Sequence, residues 1–221
     1  MKTSFSTLAC PDFSWQDIYS MAKDFNFDGI EIRGLGDNIY STKAAPFTDE
    51  ELPNTLDKLK ELDIEISCLS SGEPVNNLET KDKAIAEITD YVELASKLST
   101  KYVRVLGDKL PAPEGEVDDD VVIGIMKELV PVAEKNDVVL LLETNGVYSD
   151  TSRLKKVLDS INSQHVQALW DVHHPYRFQG ESPETTVSNL GDYIKYVHVK
   201  DSVMEDGKVE YKMMGTGDLP L

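Results

Sequence analysis

The sequence predicts an α/β protein built on a parallel sheet, and three observations carry that expectation. Short apolar runs rich in β-branched residues alternate with amphipathic helical patterns along the whole chain. The run VVLLLE, residues 138–143, is apolar on both faces, as a strand covered by helices must be, whereas a sandwich strand would alternate. No Pro-, Gly- or Ser-rich linker interrupts the alternation. Strand and helix in turn call for parallel strands joined by helical crossovers.

In chain order, the first strand begins near Thr3 (TSFSTLAC). A helix over 14–25 follows, with Ile18, Met21, Ala22 and Phe25 on one face and Ser14 and Asp17 spaced as a capping pair. GIEIR from Gly29 is the second strand. The next helix spans 48–62, aligns Leu52, Leu56, Leu59 and Leu62, and repeats the cap spacing with Thr48 and Glu51. EISCL from Glu65 is the third strand, followed by a helix over 81–98 carrying Ile85, Ile88, Val92 and Leu98. After YVRVLG from Tyr102, the Pro- and Asp-rich stretch 110–120 reads as one long loop. The helix over 121–136 contains Pro131, which is expected to kink or divide it. VVLLLE, ALWDV from Ala168 and YVHVK from Tyr196 complete seven strands, with shorter helices over 154–161 and 183–190. The final MGTGDLPL reads as turn glycines leading into the first turn of a seventh helix.

Composition bounds the function. The 221 residues, 40% of them hydrophobic, suit one domain, 1–221, with a substantial core. No run approaches eighteen apolar residues and MKTSFSTLAC lacks a signal-peptide core, so a soluble cytoplasmic protein with no membrane partner is expected. Forty acidic residues against 22 basic ones give a formal charge of -18, a poor surface for nucleic acid. Cys10 and Cys68 are too few for a disulfide framework and too far apart for a local metal knuckle.

The seven strand starts from Thr3 to Tyr196 are about 32 residues apart on average. The eighth unit of a closed (β/α)8 barrel would therefore begin just past Leu221. The expected fold is of TIM-barrel type, with seven parallel strands in an incomplete or open barrel that lacks the last βα unit. Its bare first and seventh strands would be covered by self-association into a homo-oligomer. A complete doubly wound domain is the alternative, although the first turn, CPDFSW, holds no glycine-rich nucleotide loop.

Barrel chemistry sits at the C-terminal ends of strands. Those positions here hold Glu31 and Arg33; Ser70, Ser71 and Glu73; Arg104; Glu143 and Asn145; Asp171, His173 and His174; and His198, Lys200 and Asp201. Glu143 ends five apolar residues, and a buried acid is costly unless paired, hydrogen bonded or metal bound. Asp171 in ALWDVHHPY follows the same logic, and His198 interrupts an apolar strand. Solvated strand-end charges and a satisfied core histidine are the plain alternatives. Together, Glu143, Asp171 and His198 suit one divalent metal ion: Mn, Mg, Co or Zn. His174, three residues after Asp171, is read as orienting a substrate hydroxyl, and His173 as structural. Glu73, Arg104 and Arg177 are weaker substrate contacts that ion pairs explain equally well. Lys200, with Arg104 and Arg177, is able to offset an anionic substrate group, and Lys200 and Asp201 fit as partners of His198 or the metal.

At these residues the sequence resembles the xylose-isomerase-like superfamily of barrels, in particular the sugar phosphate isomerase/epimerase group. The resemblance rests on DGIEIR, LLLETNG, WDVHHPYRFQGESP, YVHVKD and the late GTGDLP, with 28 residues from Glu143 to Asp171 and 27 from there to His198. It implies one divalent ion held by Glu, Asp, His and a second Glu. Glu143, Asp171 and His198 match the first three, and His174 matches a substrate-contacting histidine. No residue matches the second Glu, because Glu205 and Glu210 precede the glycine motif. The implied activity is isomerisation or epimerisation of a sugar or sugar-like polyol. A proton would leave the carbon next to a carbonyl, with a metal-stabilised enediolate and Glu143 as one acid/base. An inosose-type dehydratase on the same scaffold, and a non-catalytic sugar-binding or structural remnant, are the alternatives. The missing acid makes the chain either a piece of a longer enzyme or a shortened relative. Related DNA-repair endonucleases hold several metals, which four histidines and the acidic charge disfavour.

Overall fold

A computed structural model describes all residues 1–221. Its principal elements are β1 (Ser4–Ser6), α1 (Trp15–Asp24), β2 (Gly29–Ile32), α2 (Leu52–Leu62), β3 (Glu65–Ser70), α3 (Lys81–Leu98), β4 (Tyr102–Val105), α4 (Asp119–Lys135), β5 (Val139–Glu143), α5 (Thr151–Ile161), β6 (Val166–Asp171), α6 (Pro183–Leu190), β7 (Ile194–His198), β8 (Asp201–Glu205) and β9 (Lys208–Lys212). Strands β1 to β7 form one sheet whose spatial order is the chain order. The register of β1 on β2, β2 on β3, β3 on β4 and β6 on β7 is parallel. A doubly wound sheet reverses its strand order at a switch point. This order never reverses, so the fold is α/β of TIM-barrel type with seven parallel strands.

Two compact units make up the chain. The first is Met1–Glu73 with Asp82–Val105 and Leu129–Leu140; the second is Pro74–Lys81 with Leu106–Glu128 and Leu141–Leu221. In the first unit all four residues of β2 are buried, and Ile66, Leu69, Ile88, Val92 and Val103 join them in the core. The Thr100 hydroxyl donates to the Ile66 carbonyl at 2.9 Å, tying the end of α3 to β3. In the second unit Leu141, Leu142, Ala168 and Leu169 are buried, together with Leu154, Val157 and Leu158 of α5. Continuous burial along β2 and β5 is what parallel strands covered by helices require.

Local chemistry sets the helix starts. At α1 the Ser14 hydroxyl accepts from the Asp17 N–H at 3.2 Å, and the Asp17 carboxylate accepts from the Ser14 N–H at 3.2 Å, closing a capping box. The matching expectation for Thr48 and Glu51 is corrected. The Thr48 hydroxyl accepts from the Glu51 N–H at 3.4 Å and donates backwards to the Ala45 carbonyl at 3.0 Å. Residues 48–51 nevertheless stay outside the helix, and α2 opens at Leu52, with Pro53 in its first turn. Pro131 neither ends nor divides α4. Pro131 and Lys127, whose carbonyl loses its usual partner, both lie on the exposed side of the helix, where the lost bond costs least.

The C-terminal segment also departs from expectation. β8 and β9 pair as an antiparallel hairpin, Asp201 opposite Lys212 and Glu205 opposite Lys208. Its turn residues Asp206 and Gly207 have φ of 48° and 75°, the double left-handed geometry that Asp-Gly favours. The GTGDLP stretch then runs as turns, not as the start of a seventh helix.

Replacing Ser14 with Ala removes one half of the α1 capping box. It is expected to lower unfolding stability by about 1 kcal/mol, readable as a reduced urea midpoint at unchanged m value.

Candidate metal centre

The centre lies within the second unit, at the ends of three consecutive strands. Glu143 ends β5, Asp171 ends β6 and His198 ends β7, with Asp171 directly opposite His198 in the register. Glu143 is 3% exposed and Asp171 1%. Thr144 aligns the first two strand ends: its N–H donates to the Leu169 carbonyl at 3.0 Å and its hydroxyl accepts from the Asp171 N–H at 2.9 Å. Glu143 Oε1 lies 3.2 Å from His198 Nδ1. A ligand atom from each of Glu143, Asp171 and His198 falls within 4.8 Å of the others. Two buried carboxylates and an imidazole gathered this closely fit a divalent ion with ligand distances near ~2 Å.

Around Asp171 every polar atom has a defined role. Its Oδ1 accepts from the His173 N–H at 2.9 Å, and its Oδ2 lies 2.8 Å from the Lys200 ammonium. His174 Nδ1 is 3.0 Å from the Thr144 carbonyl, which has only lone pairs, so that nitrogen carries the ring proton. Nε2 is then an acceptor, and Lys200 Nζ donates to it at 2.9 Å. Burial, only partly countered by the Asp171 charge, holds the His174 pKa below its usual value and keeps the ring neutral.

His173 is wholly buried beside the rings of Tyr211, Phe178 and His174, 5.5, 6.1 and 5.7 Å away between centroids. Its Nε2 meets the Ser202 hydroxyl at 3.0 Å, while Nδ1 has no partner. Burial, reinforced by the Lys200 charge, pushes its pKa down to about 4.

The remaining sequence-derived candidates divide. Arg177 turns to the C-terminal segment: Nε donates to the Ser202 hydroxyl at 2.8 Å, and the guanidinium pairs with Asp218. Asp201 is not a partner of His198. Its Oδ1 accepts from the Ser202 N–H at 2.8 Å, and its Oδ2 from the Gly215 and Gly217 N–H groups at 2.9 and 2.8 Å. Burial opposes its charge, but the N–H groups of Gly217, Ser202, Leu219 and Gly215 outweigh it and hold the carboxyl below the ordinary range. A Cβ at Gly217 would collide with this carboxylate. In the first unit, Glu73 pairs with Lys83 at 2.6 Å, and buried Arg104 donates to the Ser71 carbonyl at 3.1 Å. Sequence reasoning missed Thr144, although it follows Glu143 inside LLLETNG, and Ser202, which no pattern marks.

The xylose isomerase-like TIM barrel family pattern matches residues 20–221, and the chain belongs to that family. Comparison with curated protein sequences returned no match. Among solved structures, a D-tagatose 3-epimerase-like protein superposes with a TM-score of 0.78 at 19% identity, covering 100% of this chain and 83% of its own. The IOLI protein with a bound zinc atom superposes at 0.75 and 19% identity, covering 100% and 81%. A probable 3-DHS dehydratase, AsbF, of Bacillus anthracis gives 0.75 at 20% identity, covering 92% and 74%. At these identities the likeness concerns the fold. No helix of this chain is long and apolar enough to cross a membrane.

The His173 ring binds its proton near pH 4 when folded but near 6.5 when unfolded. The stability that depends on the neutral ring is therefore complete above pH 6.5 and is lost as the pH falls towards 4. His173→Asn is expected to flatten the decline of unfolding free energy between those values, followed by urea titration at half-unit steps. A slope equal to that of the unmodified protein contradicts this assignment.

Proposed function

We propose that Glu143, Asp171 and His198 bind one divalent metal ion, and that the centre isomerises or epimerises a sugar or sugar-like polyol. The reaction would move a proton on a carbon next to a carbonyl. The observation that carries this reading is the gathering of two buried carboxylates and an imidazole within 4.8 Å at three consecutive strand ends. Family membership and the likeness to an epimerase-like protein and to a zinc-bound protein support it. When bound, the ion supplies positive charge to the oxygens of a carbonyl and its neighbouring hydroxyl.

The chain's own residues do the rest. Glu143 is one acid/base: it takes the proton from carbon and, by returning it to the neighbouring carbon, gives isomerisation. Epimerisation needs a second proton donor on the opposite face of the sugar. The burial of Glu143 excludes water from the exchange. His174, fixed as the Nδ1–H tautomer by the Thr144 carbonyl, offers Nε2 as an acceptor to a substrate hydroxyl in place of the Lys200 ammonium that donates to it in this structure. The ring keeps that acceptor because burial keeps it neutral. The partner is a small polyhydroxy carbonyl compound. The two buried cysteines, which form no disulfide, suit a reducing cytoplasm.

Likeness to a probable dehydratase favours one second reading, a lyase that begins with the same proton abstraction and then expels water. Product analysis separates the two, because only the lyase product is lighter by one water.

Calorimetric titration with Mn, Mg, Co and Zn salts is expected to show one site per chain, abolished by Asp171→Asn. Glu143→Gln is expected to lower turnover of a ketose panel by about 100-fold or more. A chain that takes up none of the four ions refutes the metal centre.

A further inference from the structure

We propose that Lys200 is the resident cation of the metal-free centre, competing with the divalent ion for Asp171 and so setting how tightly this chain holds metal. The inference rests on the reading of Glu143, Asp171 and His198 as ligands. It adds a role for a residue that binds no metal itself.

Glu143 and Asp171 are both almost fully buried, and such a pair of anions demands nearby positive charge. Asp171 meets it in one place, the Lys200 ammonium, 2.8 Å from Oδ2. Its Oδ1 is taken by the His173 N–H, which carries no net charge. The ammonium is held from the other side by His174 Nε2 at 2.9 Å, and the Thr144 carbonyl dictates that this nitrogen accepts. The ammonium thus hydrogen-bonds one fixed acceptor while its charge sits against an oxygen of a metal ligand. Lys200 follows His198 by two residues at the end of β7, so its backbone is fixed by the strand that delivers the imidazole.

A divalent ion sharing Asp171 with Lys200 places two cations around one buried carboxylate. Their repulsion falls directly on metal affinity, and little water is present to screen it. Lys200 also has somewhere to go. Its side chain is 33% exposed, and its Nζ lies 6.0 Å from the centre of the Tyr211 ring on β9. That aromatic face accepts a cation displaced from Asp171. The metal-free centre is therefore neutralised in part before any metal arrives, and binding is an exchange of one cation for another.

The test uses the full chain and Mn2+ alone, by isothermal titration calorimetry, with thermal melts in EDTA. Lys200→Met removes the competitor. It should bind Mn2+ about tenfold or more tightly and melt at a lower temperature in EDTA, where Asp171 has lost its counter-ion. Lys200→Arg keeps the charge and should bind within about threefold of the unmodified chain. Lys200→Gln serves as the second neutral variant if Lys200→Met fails to fold. Mn2+ uptake by the neutral variant alone also supports the competition. Equal or weaker binding by the neutral variant, with the unmodified chain binding normally, overturns the role of Lys200 and leaves the ligand set standing. No uptake by any form overturns both.

Discussion

The second unit is organised by the need to keep two carboxylates charged where water barely reaches. Glu143 and Asp171 sit buried at adjacent strand ends, where unpartnered carboxylates are costly. The fold answers with His198 against Glu143, Lys200 against Asp171 and a backbone N–H on the remaining Asp171 oxygen. Those partners come from β7 and the turn after β6, which fixes where the two elements end.

Rigidity around the carboxylates comes from main-chain hydrogen bonds more than from ion pairs. Thr144 is the hub: its N–H, hydroxyl and carbonyl engage Leu169, Asp171 and His174 in turn. One residue thereby sets the strand alignment and the protonated nitrogen of the neighbouring histidine. Asp108 plays a similar part behind it, accepting from the Val147 N–H at 3.0 Å and leaving no room for a side chain at Gly146, whose φ is 57°. Surface pairs such as Lys2 with Glu65 are mostly exposed and add little by comparison.

The sheet was readable in the sequence because strand burial and helix periodicity are local patterns. All seven parallel strands start within two residues of the apolar runs that announce them, and α3 and α6 span the anticipated ranges. The capping box at Ser14 was legible for the same reason, since both partners lie in one turn. Thr48 carried the same spacing and misled, because Pro53 and the preceding turns moved the helix start. The hairpin at β8 and β9 was overlooked although Asp206-Gly207 between alternating residues is a hairpin signal. Partner choice was the least legible layer. Whether Asp201 faces a histidine or four N–H groups depends on where residues 215–219 return, and no local pattern encodes that path.

The clasp at Asp201 bears on how such a centre diversifies. A carboxylate that grips peptide N–H groups recognises chain path and is indifferent to most side chains carried along it. Glycine is demanded at position 217, where the approach is closest, whereas the side chains of Thr216 and Pro220 are exposed. New side chains can therefore be sampled on that segment while the main chain stays anchored. The arrangement separates exposed side chains from an anchored main chain within a stretch of seven residues, 215–221.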